Sequence, residues 1–332
     1  MPPFRAYRIF DEAGKTVSRF VDMELAELDP GDVVIRTVYS SVNYKDALAA
    51  TGAGKVVRRF PCVGGVDMAG VVETSQDARF VPGDQVIVTG YDMGVTHDGG
   101  YAEFVRVPAD WIVPLPEGLS LFEAMVAGTA GFTAALAIYR LQQNDLTPAA
   151  GKVLVTGATG GVGSLAIQML AQLGFHVVGL TGKVDQQDYL RALGATEVLL
   201  RSQVRTDSTR ALEQAQWAAA LDAIGGPTLS WLTRSMQQNG VIASYGNTGG
   251  EQLHTTVYPF ILRGVRLIGI DSAKTAMPLR QVIWQRLAKD LRIGKFDNLI
   301  ETIEFDQVPG VFADMLEGKS RGRTVVKISA PA

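Results

Sequence analysis

The sequence predicts an α/β protein with a β-rich domain and a second domain built on a doubly wound parallel sheet. In residues 1–122, short apolar runs are separated by turn sequences, which is typical of short strands. Beyond residue 122, short apolar runs alternate with helix-length periodic segments, the pattern of parallel strands joined by helices. The chain has 332 residues, which is enough for two domains of ordinary size.

The composition is that of a globular protein, with 47% hydrophobic and 20% charged residues. The net charge of -3 gives no reason to expect nucleic acid or an acidic membrane surface as a partner. A single cysteine, Cys62, excludes an internal disulfide and fits a reducing cytoplasm. The first residues contain no apolar segment of the signal-peptide type, so we expect a cytoplasmic protein.

In the first domain, turn sequences such as Asp29-Pro-Gly and Val81-Pro-Gly-Asp separate the predicted strands. One helical period appears, around residues 44–50. An uncharged run of 16 residues, 124–139, is shorter than the roughly 20 that cross a bilayer, and we interpret it as a helix buried between domains. The predicted strands include residues 33–38, 71–72, 86–89 and 102–107.

From there the pattern alternates, and Pro227 suits a helix start while Gly194 and Gly240 suit helix ends. After a helix at 278–292 the chain returns to strand-like sequence, which we expect to rejoin the first domain. We place the domains at 1–122 with 294–332, and at 123–293. The predicted strands are 152–157, 175–180, 197–200, 217–223, 241–246 and 265–271, and the helices between them are 162–173, 186–193, 208–215, 227–238 and 257–263.

Residues 152–164 read Lys-Val-Leu-Val-Thr-Gly-Ala-Thr-Gly-Gly-Val-Gly-Ser, a strand, a turn with four glycines and a helix that Gly174 closes. Glycines let the backbone approach a pyrophosphate, and the helix N-terminus offers free N–H groups with a partial positive charge. A purely structural turn is the alternative. The second strand that follows at once favours a dinucleotide site.

The end of that second strand indicates which dinucleotide binds. NAD-preferring folds carry an acidic side chain there, whereas this strand ends in Thr181-Gly182-Lys183. Thr181 and Lys183 would donate to a 2′-phosphate, and Arg201 could add a second cation, so NADP(H) is favoured. A solvated Lys183 is the alternative, and we interpret Asp185 as the cap of the next helix.

Two classes of nicotinamide enzyme are disfavoured by what the chain lacks. Single-domain dehydrogenases with a similar glycine turn use a Tyr-x-x-x-Lys pair, and the chain has none. With Cys62 as the only cysteine and His97, His176 and His254 as the only histidines, neither a catalytic zinc site nor a four-cysteine structural zinc site can be built to tetrahedral N/S coordination. We therefore predict zinc-free chemistry and no metal.

Several longer motifs point to one family: Ser40-Ser-Val-Asn43-Tyr44-Lys45-Asp46, Gly128-Thr-Ala-Gly-Phe-Thr-Ala, Pro259-Phe-Ile-Leu-Arg, Gly269-Ile-Asp-Ser272 and Gly322-Arg323-Thr-Val-Val. On these motifs and its layout, the whole chain resembles the medium-chain dehydrogenase/reductase superfamily, in its acrylyl-CoA reductase (YhdH/YhfP, quinone oxidoreductase-like) group. Where zinc members carry Gly-His-Glu, this chain retains only the acid Asp67. The resemblance implies a GroES-like β-rich catalytic domain and a Rossmann NADPH-binding domain. It also implies reduction of acrylyl-CoA to propionyl-CoA and a homodimer joined near residues 265–271.

The resemblance further implies a set of cofactor contacts. Tyr44 would lie at the nicotinamide end, and Lys183 stands where the family more often has arginine. The pyrophosphate would be held by Thr159, Gly160, Gly161 and Val162. The adenosine phosphate would be held by Thr181, Gly182 and Lys183, and Arg201, Asn247, Ile261, Ser272 and Arg323 complete the set.

The catalytic candidates are Asn43, Tyr44, Asp67 and Arg323. Reduction of a conjugated thioester needs a donor to the enolate oxygen and a proton at the α-carbon, and Asn43 and Tyr44 are polar residues placed after a strand. Tyr44 is either the acid or a hydrogen-bonding orienter. Asp67 is either a buried structural acid or an active-site group. Arg323 is its partner, a ligand of the nicotinamide diphosphate, or a surface residue.

Other polar residues are open to a structural interpretation. Lys45 and Asp46 would form a solvated pair on a helix surface, and His97 is either structural or borders the substrate. Lys55, Arg58, Arg59 and Arg106 could form a basic entrance for an adenine-diphosphate substrate. Two further functions stay open: a quinone or general enone reductase on the same site, and a non-catalytic NADPH-binding sensor.

Overall fold

The computed structural model describes residues 2–294 and 298–330, which form two compact units. The first unit is Met1–Thr129, Ala273–Ala288 and Ile300–Ala332, and the second is Ala130–Ser272 and Lys289–Leu299. The α/β class, with an antiparallel β-rich part and a parallel sheet, is confirmed. The unit bounds differ from the domain bounds expected from sequence, and residues 295–297 of the returning segment lie outside the described residues.

Residues 273–288, which the sequence assigns to the nucleotide domain, pack with the first unit. Arg280 makes several of the contacts involved and is 1% exposed. Its guanidinium donates to the carbonyl and the hydroxyl of Thr89 at 2.8 and 3.1 Å, and it lies 4.3 Å from the centre of the Tyr91 ring. A charged side chain is buried only where such partners exist. These partners of Arg280 are distant in the chain, so its local sequence does not predict its burial.

The strands of the first unit are β1 Phe4–Glu12, β2 Lys15–Met23, β3 Val33–Val42, β4 Cys62–Val63, β5 Asp67–Ser75, β6 Gln85–Thr89, β7 Phe104–Val107 and β8 Val113–Pro114. The second unit contributes β9 Lys152–Thr156, β10 His176–Thr181, β11 Glu197–Leu200, β12 Trp217–Asp222, β13 Met236–Ser244 and β14 Arg266–Gly269, and the first unit resumes with β15 Ile300–Glu304 and β16 Arg323–Lys327. The helices are α1 Tyr44–Thr51, α2 Leu121–Gln142, α3 Gly161–Gln172, α4 Gln187–Leu193, α5 Gly226–Ser235, α6 Tyr258–Arg263, α7 Met277–Leu287 and α8 Val308–Leu316.

Two sheets build the first unit. One has the order β2-β1-β4, and the other has the order β15-β16-β3-β5-β6-β8 with β7 paired to β3. In the larger sheet β16 pairs antiparallel with β3, so that Thr324 faces Val42. On its other side β3 pairs antiparallel with β5. This register brings the end of β3 close to the starts of β5 and β16.

The apolar content of β3 follows from its central position. Eight of its ten residues are buried, because sheet neighbours and core side chains cover both faces. One core of the unit includes Phe4, Tyr7 and Phe312, and a second includes Val33, Ile35 and Met68. The helix α8 that contributes Phe312 was not predicted from sequence.

The long helix α2 is interrupted at Gly128, which has φ 49° and ψ -153°. By length and composition alone this helix could cross a membrane, but 83% of its most apolar window is buried inside the fold. It is 22 residues long, longer than the uncharged run from which it was predicted. Burial and the kink at Gly128 are the marks of a core helix.

The second unit is a six-stranded parallel sheet in the order β11-β10-β9-β12-β13-β14. This is the order of two mononucleotide-binding halves that meet between β9 and β12. The strand order reverses at this point, and parallel strands all present their carboxyl ends at one edge. The core beneath includes Leu154, Trp217 and Ile242.

Three secondary-structure predictions were wrong. Residues 208–215 form no helix, because the N–H of Glu213 is bonded to the carbonyl of Arg234 and the carbonyl of Glu213 accepts from Arg263. The predicted helix 227–238 ends at Ser235, so Gly240 lies inside β13 rather than at a helix end. The predicted helix 278–292 ends at Leu287.

Candidate active site

A buried carboxylate organises the polar residues at the end of β3. Asp67 is the first residue of β5 and is completely buried. Its Oδ2 accepts from Ser41 Oγ at 2.7 Å, from Asn43 Nδ2 at 2.7 Å and from the Thr129 N–H at 2.9 Å. Its Oδ1 accepts from Thr129 Oγ1 at 2.5 Å. The carboxylate therefore binds donors from two separate stretches of the chain, the end of β3 and the middle of α2.

Arg323 is the cationic counterpart in this network and is 2% exposed. Its Nε donates to the Val126 carbonyl at 2.9 Å, and its Nη1 donates to the Val42 carbonyl at 3.0 Å and to Asn43 Oδ1 at 3.2 Å. Its Nη2 donates to Ser41 Oγ at 2.8 Å and to the Met125 carbonyl at 3.5 Å. All five N–H groups are thus used inside the unit.

Ser41 and Asn43 each contact both charged groups, so they bridge the Arg323 guanidinium to the Asp67 carboxylate. Among the sequence interpretations of Arg323, a surface residue is wrong. Its role as a ligand of a nicotinamide diphosphate stays a prediction, and the use of every donor within the unit favours a positioning role instead. Burial of the charge lowers the Arg323 pKa from its ordinary value, while Asp67 opposes that shift.

Gly128 makes this network possible. A Cβ atom at this position would lie 2.6 Å from Asp67 Oδ2, 2.7 Å from Ser41 Oγ and 2.8 Å from Arg323 Nη2. Inside a regular helix, backbone groups bond to one another four residues apart. The interruption instead directs the Thr129 N–H to Asp67 and the Val126 carbonyl to Arg323.

Asp46 is a member of the network that the sequence interpretation misjudged. It was expected to be a solvated helix charge, but it is 2% exposed. It accepts from the Asn43 N–H at 2.9 Å, from Asn43 Nδ2 at 3.3 Å and from the Val66 N–H at 3.0 Å. Burial first, and then the charge of Asp67, raise the pKa of Asp46 to about 7.

This geometry shows how Tyr44 is held. Asn43 precedes α1, and its N–H bond to Asp46 is one half of a capping box. Tyr44 begins the helix and is 43% exposed, whereas its anchored neighbour Asn43 is half-buried. Lys45 is exposed, as expected for a surface charge.

The sequence analysis missed Ser41, Asp46, Tyr101 and Thr129 as members of the network. Tyr101 is 1% exposed, donates its hydroxyl to the Ser41 carbonyl at 3.2 Å, and has a pKa raised chiefly by burial. The Asn-x-x-Asp spacing at the start of α1 is a capping signal that could have revealed Asp46. Tyr101 comes from a loop without any such signal.

In the second unit, the glycine turn joins β9 to α3. Gly157 has φ 59°, and a Cβ at Gly163 would lie 2.4 Å from the Gly157 carbonyl oxygen, so both positions require glycine. The turn leads into α3 at Gly161, and the first N–H groups of a helix have no partner within it. Thr159, Gly160, Gly161 and Val162 therefore form a suitable pyrophosphate cradle.

The residues predicted to bind the adenosine phosphate also come together. Thr181 is 4% exposed, and its Oγ1 accepts from the Lys183 N–H at 3.0 Å. A Cβ at Gly182 would lie 2.9 Å from Arg201 Nη2, which places the guanidinium beside this glycine. Thr181 ends β10, while Lys183 and Arg201 follow β10 and β11, and this donor set suits a 2′-phosphate.

The remaining predicted contacts are more dispersed. Asn247 is exposed in the loop after β13, and Ser272 Oγ accepts from Thr133 Oγ1 at 2.8 Å. Ile261 is 67% exposed on α6. The sequence analysis did not select Asp222, whose carboxylate accepts from Thr156 Oγ1 at 2.7 Å and from the Gly225 N–H at 2.9 Å beside the glycine turn.

His97 has a structural environment. Its Nδ1 lies 3.0 Å from the Asp98 carbonyl oxygen and its Nε2 lies 3.1 Å from that of Pro30. Its ring packs edge-on against Trp111. Both ring nitrogens are engaged with the backbone, which favours the structural interpretation.

Half of the predicted basic entrance is used for internal contacts. Arg59 pairs with Asp29, and Arg106 donates to the carbonyls of Leu28 and Asp29. Lys55 and Arg58 are exposed and stay available to a ligand.

Comparison with known proteins identifies the family. Residues 29–117 match the alcohol dehydrogenase GroES-like domain, and residues 161–289 match the zinc-binding dehydrogenase family. The chain is 47% identical to the putative quinone oxidoreductase YhfP of Bacillus subtilis, covering 91% of this chain and 92% of that one. It is 45% identical to acrylyl-CoA reductase AcuI of Ruegeria pomeroyi, covering 96% and 97%.

Solved structures agree. The YhdH oxidoreductase of Salmonella enterica, in complex with NADP, superposes with a TM-score of 0.95 at 42% identity over 98% of this chain and 100% of that one. YhfP of Bacillus subtilis with NAD bound gives 0.96 at 44% identity over 99% and 100%. The chain belongs to the medium-chain dehydrogenase/reductase superfamily, in its acrylyl-CoA reductase (YhdH/YhfP) group. It is accordingly an oxidoreductase.

We expect Gly128→Ala to lower the stability of the protein by about 3 kcal/mol or more. The added methyl group would displace three polar groups, and alanine would be strained in the backbone conformation of this residue. The shift in denaturant midpoint measures it. The control is Gly310→Ala, at an exposed helical glycine with open space around its Cβ position. We expect that variant to gain about 0.5–1 kcal/mol, and equal effects of the two changes would contradict the account of the kink.

We expect Asp46→Asn to flatten the pH dependence of stability. The folded pKa of about 7 lies above the unfolded value of roughly 4, so the folded protein retains a proton that the unfolded chain has lost. Stability from this group is complete below the unfolded pKa and is lost as the pH rises to about 7. Denaturant midpoints from about pH 4 to about pH 8 measure the slope.

The control for that experiment is Glu251→Gln, which changes an exposed carboxylate and should keep the wild-type slope. A wild-type slope in Asp46→Asn would show that another group takes up the proton.

Proposed function

We propose that the protein catalyses zinc-independent, NADPH-dependent reduction of the conjugated double bond of a short enoyl thioester, with acrylyl-CoA going to propionyl-CoA. The observation that carries the proposal is similarity along almost the whole chain to proteins named acrylyl-CoA reductase, at 45% and 41% identity. The network around Asp67 adds support, because it holds Asn43 beside Tyr44, the proposed hydrogen-bond donor to the substrate.

NADPH is the proposed cofactor because the site offers cations where an NAD site offers a carboxylate. Lys183 and Arg201 follow β10 and β11, and Gly182 leaves room between the Arg201 guanidinium and the backbone. The YhdH relatives were solved with NADP or NADPH, and YhfP was solved with NAD. A lysine supplies a point charge rather than a bidentate fork, so we expect a weaker grip on the 2′-phosphate than arginine would give.

When bound, NADPH supplies a hydride to the β-carbon of the enoyl group. The chain must then stabilise the enolate oxygen and allow a proton to reach the α-carbon. The hydride and the proton together saturate the double bond. We assign the Tyr44 hydroxyl to donate a hydrogen bond to the reacting carbonyl group, a contact typically worth about 3 kcal/mol when preorganised. Asn43 positions Tyr44, because its side chain is held by Asp67 and Arg323.

Asp67 and Arg323 act on the reaction through Asn43 rather than by touching the substrate. Asp67 is completely buried, and every N–H group of Arg323 has an acceptor. In this assignment they are positioning residues.

The surroundings of Cys62 and His97, the two obvious candidates for zinc ligands, support zinc independence. Cys62 Sγ lies 3.3 Å from the His97 carbonyl oxygen, and burial raises the pKa of its thiol to about 12. A thiolate is the form that binds zinc. Both His97 nitrogens are engaged with carbonyl oxygens. The family model that matches residues 161–289 is named for zinc binding, which makes a direct test worthwhile.

A homodimer is the proposed assembly. The strand β14 forms one edge of the parallel sheet, and the adjoining helix α6 presents an exposed apolar surface. Tyr258 is 48% exposed, Ile261 67% and Leu262 56%. An edge strand beside such a surface favours pairing with a second copy. A cytoplasmic location is proposed on the single, unpaired cysteine.

A quinone or enone reductase is the second candidate, because YhfP carries the name quinone oxidoreductase. We expect the value of kcat/KM with acrylyl-CoA and NADPH to exceed that with a naphthoquinone by a factor of about 100 or more, since binding energy from the CoA group is used in the transition state. The rate of NADPH oxidation with each acceptor gives the two kcat/KM values.

The same assay tests zinc independence, since preincubation with a strong chelator should leave the rate unchanged. A higher value for the quinone would establish the second candidate, and cofactor binding without turnover of any acceptor would indicate a sensor.

We expect Tyr44→Phe to lower kcat about 10- to 100-fold while the affinity for NADPH changes less than about twofold, because only the phenolic hydroxyl is removed. Stopped-flow rates and a fluorescence titration with NADPH measure the two quantities. Lys45→Ala, at the exposed neighbour, is the control and should keep the wild-type kcat. An unchanged kcat in Tyr44→Phe would remove Tyr44 from the mechanism.

We expect Leu262→Asp to convert the dimer to a monomer, because a carboxylate would be buried without a partner in the interface. Light scattering coupled to size exclusion measures the mass. Val81→Asp, at an equally exposed apolar residue of the first unit, should stay dimeric. A monomeric wild-type protein would contradict the assembly.

A further inference from the structure

Tyr245 occupies a distinctive place in the second unit. It follows the last residue of β13, and its N–H donates to the carbonyl of Asp222 at 2.9 Å, where β12 ends. The Asp222 carboxylate accepts a hydrogen bond from Thr156 Oγ1. Thr156 is the last residue of β9 before the glycine turn. Tyr245 thus stands where β9, β12 and β13 end, beside the point at which the strand order reverses.

The Tyr245 hydroxyl is buried, and in the part of the chain that the structure describes it has no hydrogen-bond partner. Burial first, and then the charge of Asp222, raise its pKa, so the phenol is a neutral donor at physiological pH. A buried hydroxyl without a partner lowers stability relative to one that is paired. Such a group at the carboxyl edge of a nucleotide-binding sheet indicates that a ligand atom completes its bonding.

The backbone around Tyr245 is closely packed. A Cβ at Gly246 would lie 2.4 Å from the Ala223 carbonyl oxygen, and one at Gly225 would lie 2.5 Å from that of Gly250. The loops after β12 and β13 therefore contact each other backbone to backbone at these two positions. This contact fixes the start of the loop that carries Tyr245.

The strand order indicates which half of the cofactor lies near Tyr245. In this topology each half of the sheet serves one mononucleotide. The strands β9, β10 and β11 carry the glycine turn, Lys183 and Arg201, which suit the adenosine half. Tyr245 belongs to the other half, formed by β12, β13 and β14.

We propose that the Tyr245 hydroxyl donates a hydrogen bond to an oxygen of the nicotinamide mononucleotide half of the bound dinucleotide. Tyr245 is then a cofactor-positioning residue that the glycine motif does not include. The inference rests on the proposed function for the cofactor alone, since it requires binding of NADP(H) and no particular acceptor.

The test compares two ligands in the wild-type protein and in Tyr245→Phe. NADP⁺ contains both halves of the cofactor, whereas 2′,5′-ADP contains only the adenosine half with its phosphates. We expect calorimetric titration to show NADP⁺ binding weakened about 3- to 10-fold in the variant, the range for loss of one neutral hydrogen bond. The affinity for 2′,5′-ADP should be unchanged.

Two further measurements separate a ligand contact from a structural role. The unfolding temperature of Tyr245→Phe without ligand should equal or exceed that of the wild type, because only an unpartnered hydroxyl is lost. Lys183→Ala is the matched variant for the other half, and it should weaken NADP⁺ and 2′,5′-ADP alike.

The inference is overturned if Tyr245→Phe weakens both ligands equally, weakens neither, or lowers the unfolding temperature of the free protein. Failure of the proposed function looks different. A wild-type protein that binds NADP⁺ normally but reduces neither acrylyl-CoA nor a quinone would refute the reaction while the effect of Tyr245→Phe persisted. A wild-type protein that does not bind NADP⁺ would refute both.

Discussion

The first unit depends on the compensation of one buried charge by another across two bridging side chains. Asp67 and Arg323 are both nearly inaccessible, and an ion buried without partners would destabilise the fold by several kcal/mol. Ser41 and Asn43 connect them, so the pair is satisfied by hydrogen bonds as well as by charge. Because the donors and acceptors come from β3, β5, β16 and the interruption of α2, the network holds these elements in one arrangement. The same network fixes the position of Asn43, and thereby that of Tyr44.

The same network contains one more acid than base. A single guanidinium compensates one carboxylate, and Asp46 lies close enough to Asp67 for the two charges to repel. Burial of Asp46 is the main cause of its raised pKa, and the repulsion by Asp67 adds to it. Asp46 also caps α1 through the Asn43 N–H, so the protonation of the cluster and the start of the helix that carries Tyr44 share one side chain.

The proposed cofactor site of the second unit depends on backbone groups and strand ends rather than on a buried ion pair. Its proposed pyrophosphate cradle consists of backbone N–H groups and needs glycine, because side chains would fill the space that the phosphates require. In the proposed function, its specificity for a 2′-phosphate rests on Thr181 at the end of β10 and on Lys183 and Arg201, which follow β10 and β11. The buried hydroxyl of Tyr245 on the other half of the sheet belongs to neither set, since it is defined by the strand order and not by a motif.

The amino-acid sequence by itself determined the features that depend on neighbouring residues. The glycine turn, the strand end without a carboxylate and the alternation of strands and helices are local patterns, and they were sufficient for the fold class and the cofactor prediction. The motif around Asn43 and Tyr44 was also visible. The helix expected at 208–215 was wrong because the carbonyl of Arg234 and the side chain of Arg263 take the backbone groups that a helix would need.

Only the tertiary structure decided the roles of the buried charges. Asp46 and Arg323 are separated by 277 positions in the chain, and each looks like a surface charge in its local sequence. Their burial follows from the register of β16 on β3 and from the interruption at Gly128, and no local periodicity encodes either. The same holds for Arg280 and for the Tyr245 hydroxyl. Whether a polar group is paired depends on atoms brought close by folding, and that information is distributed over the whole chain.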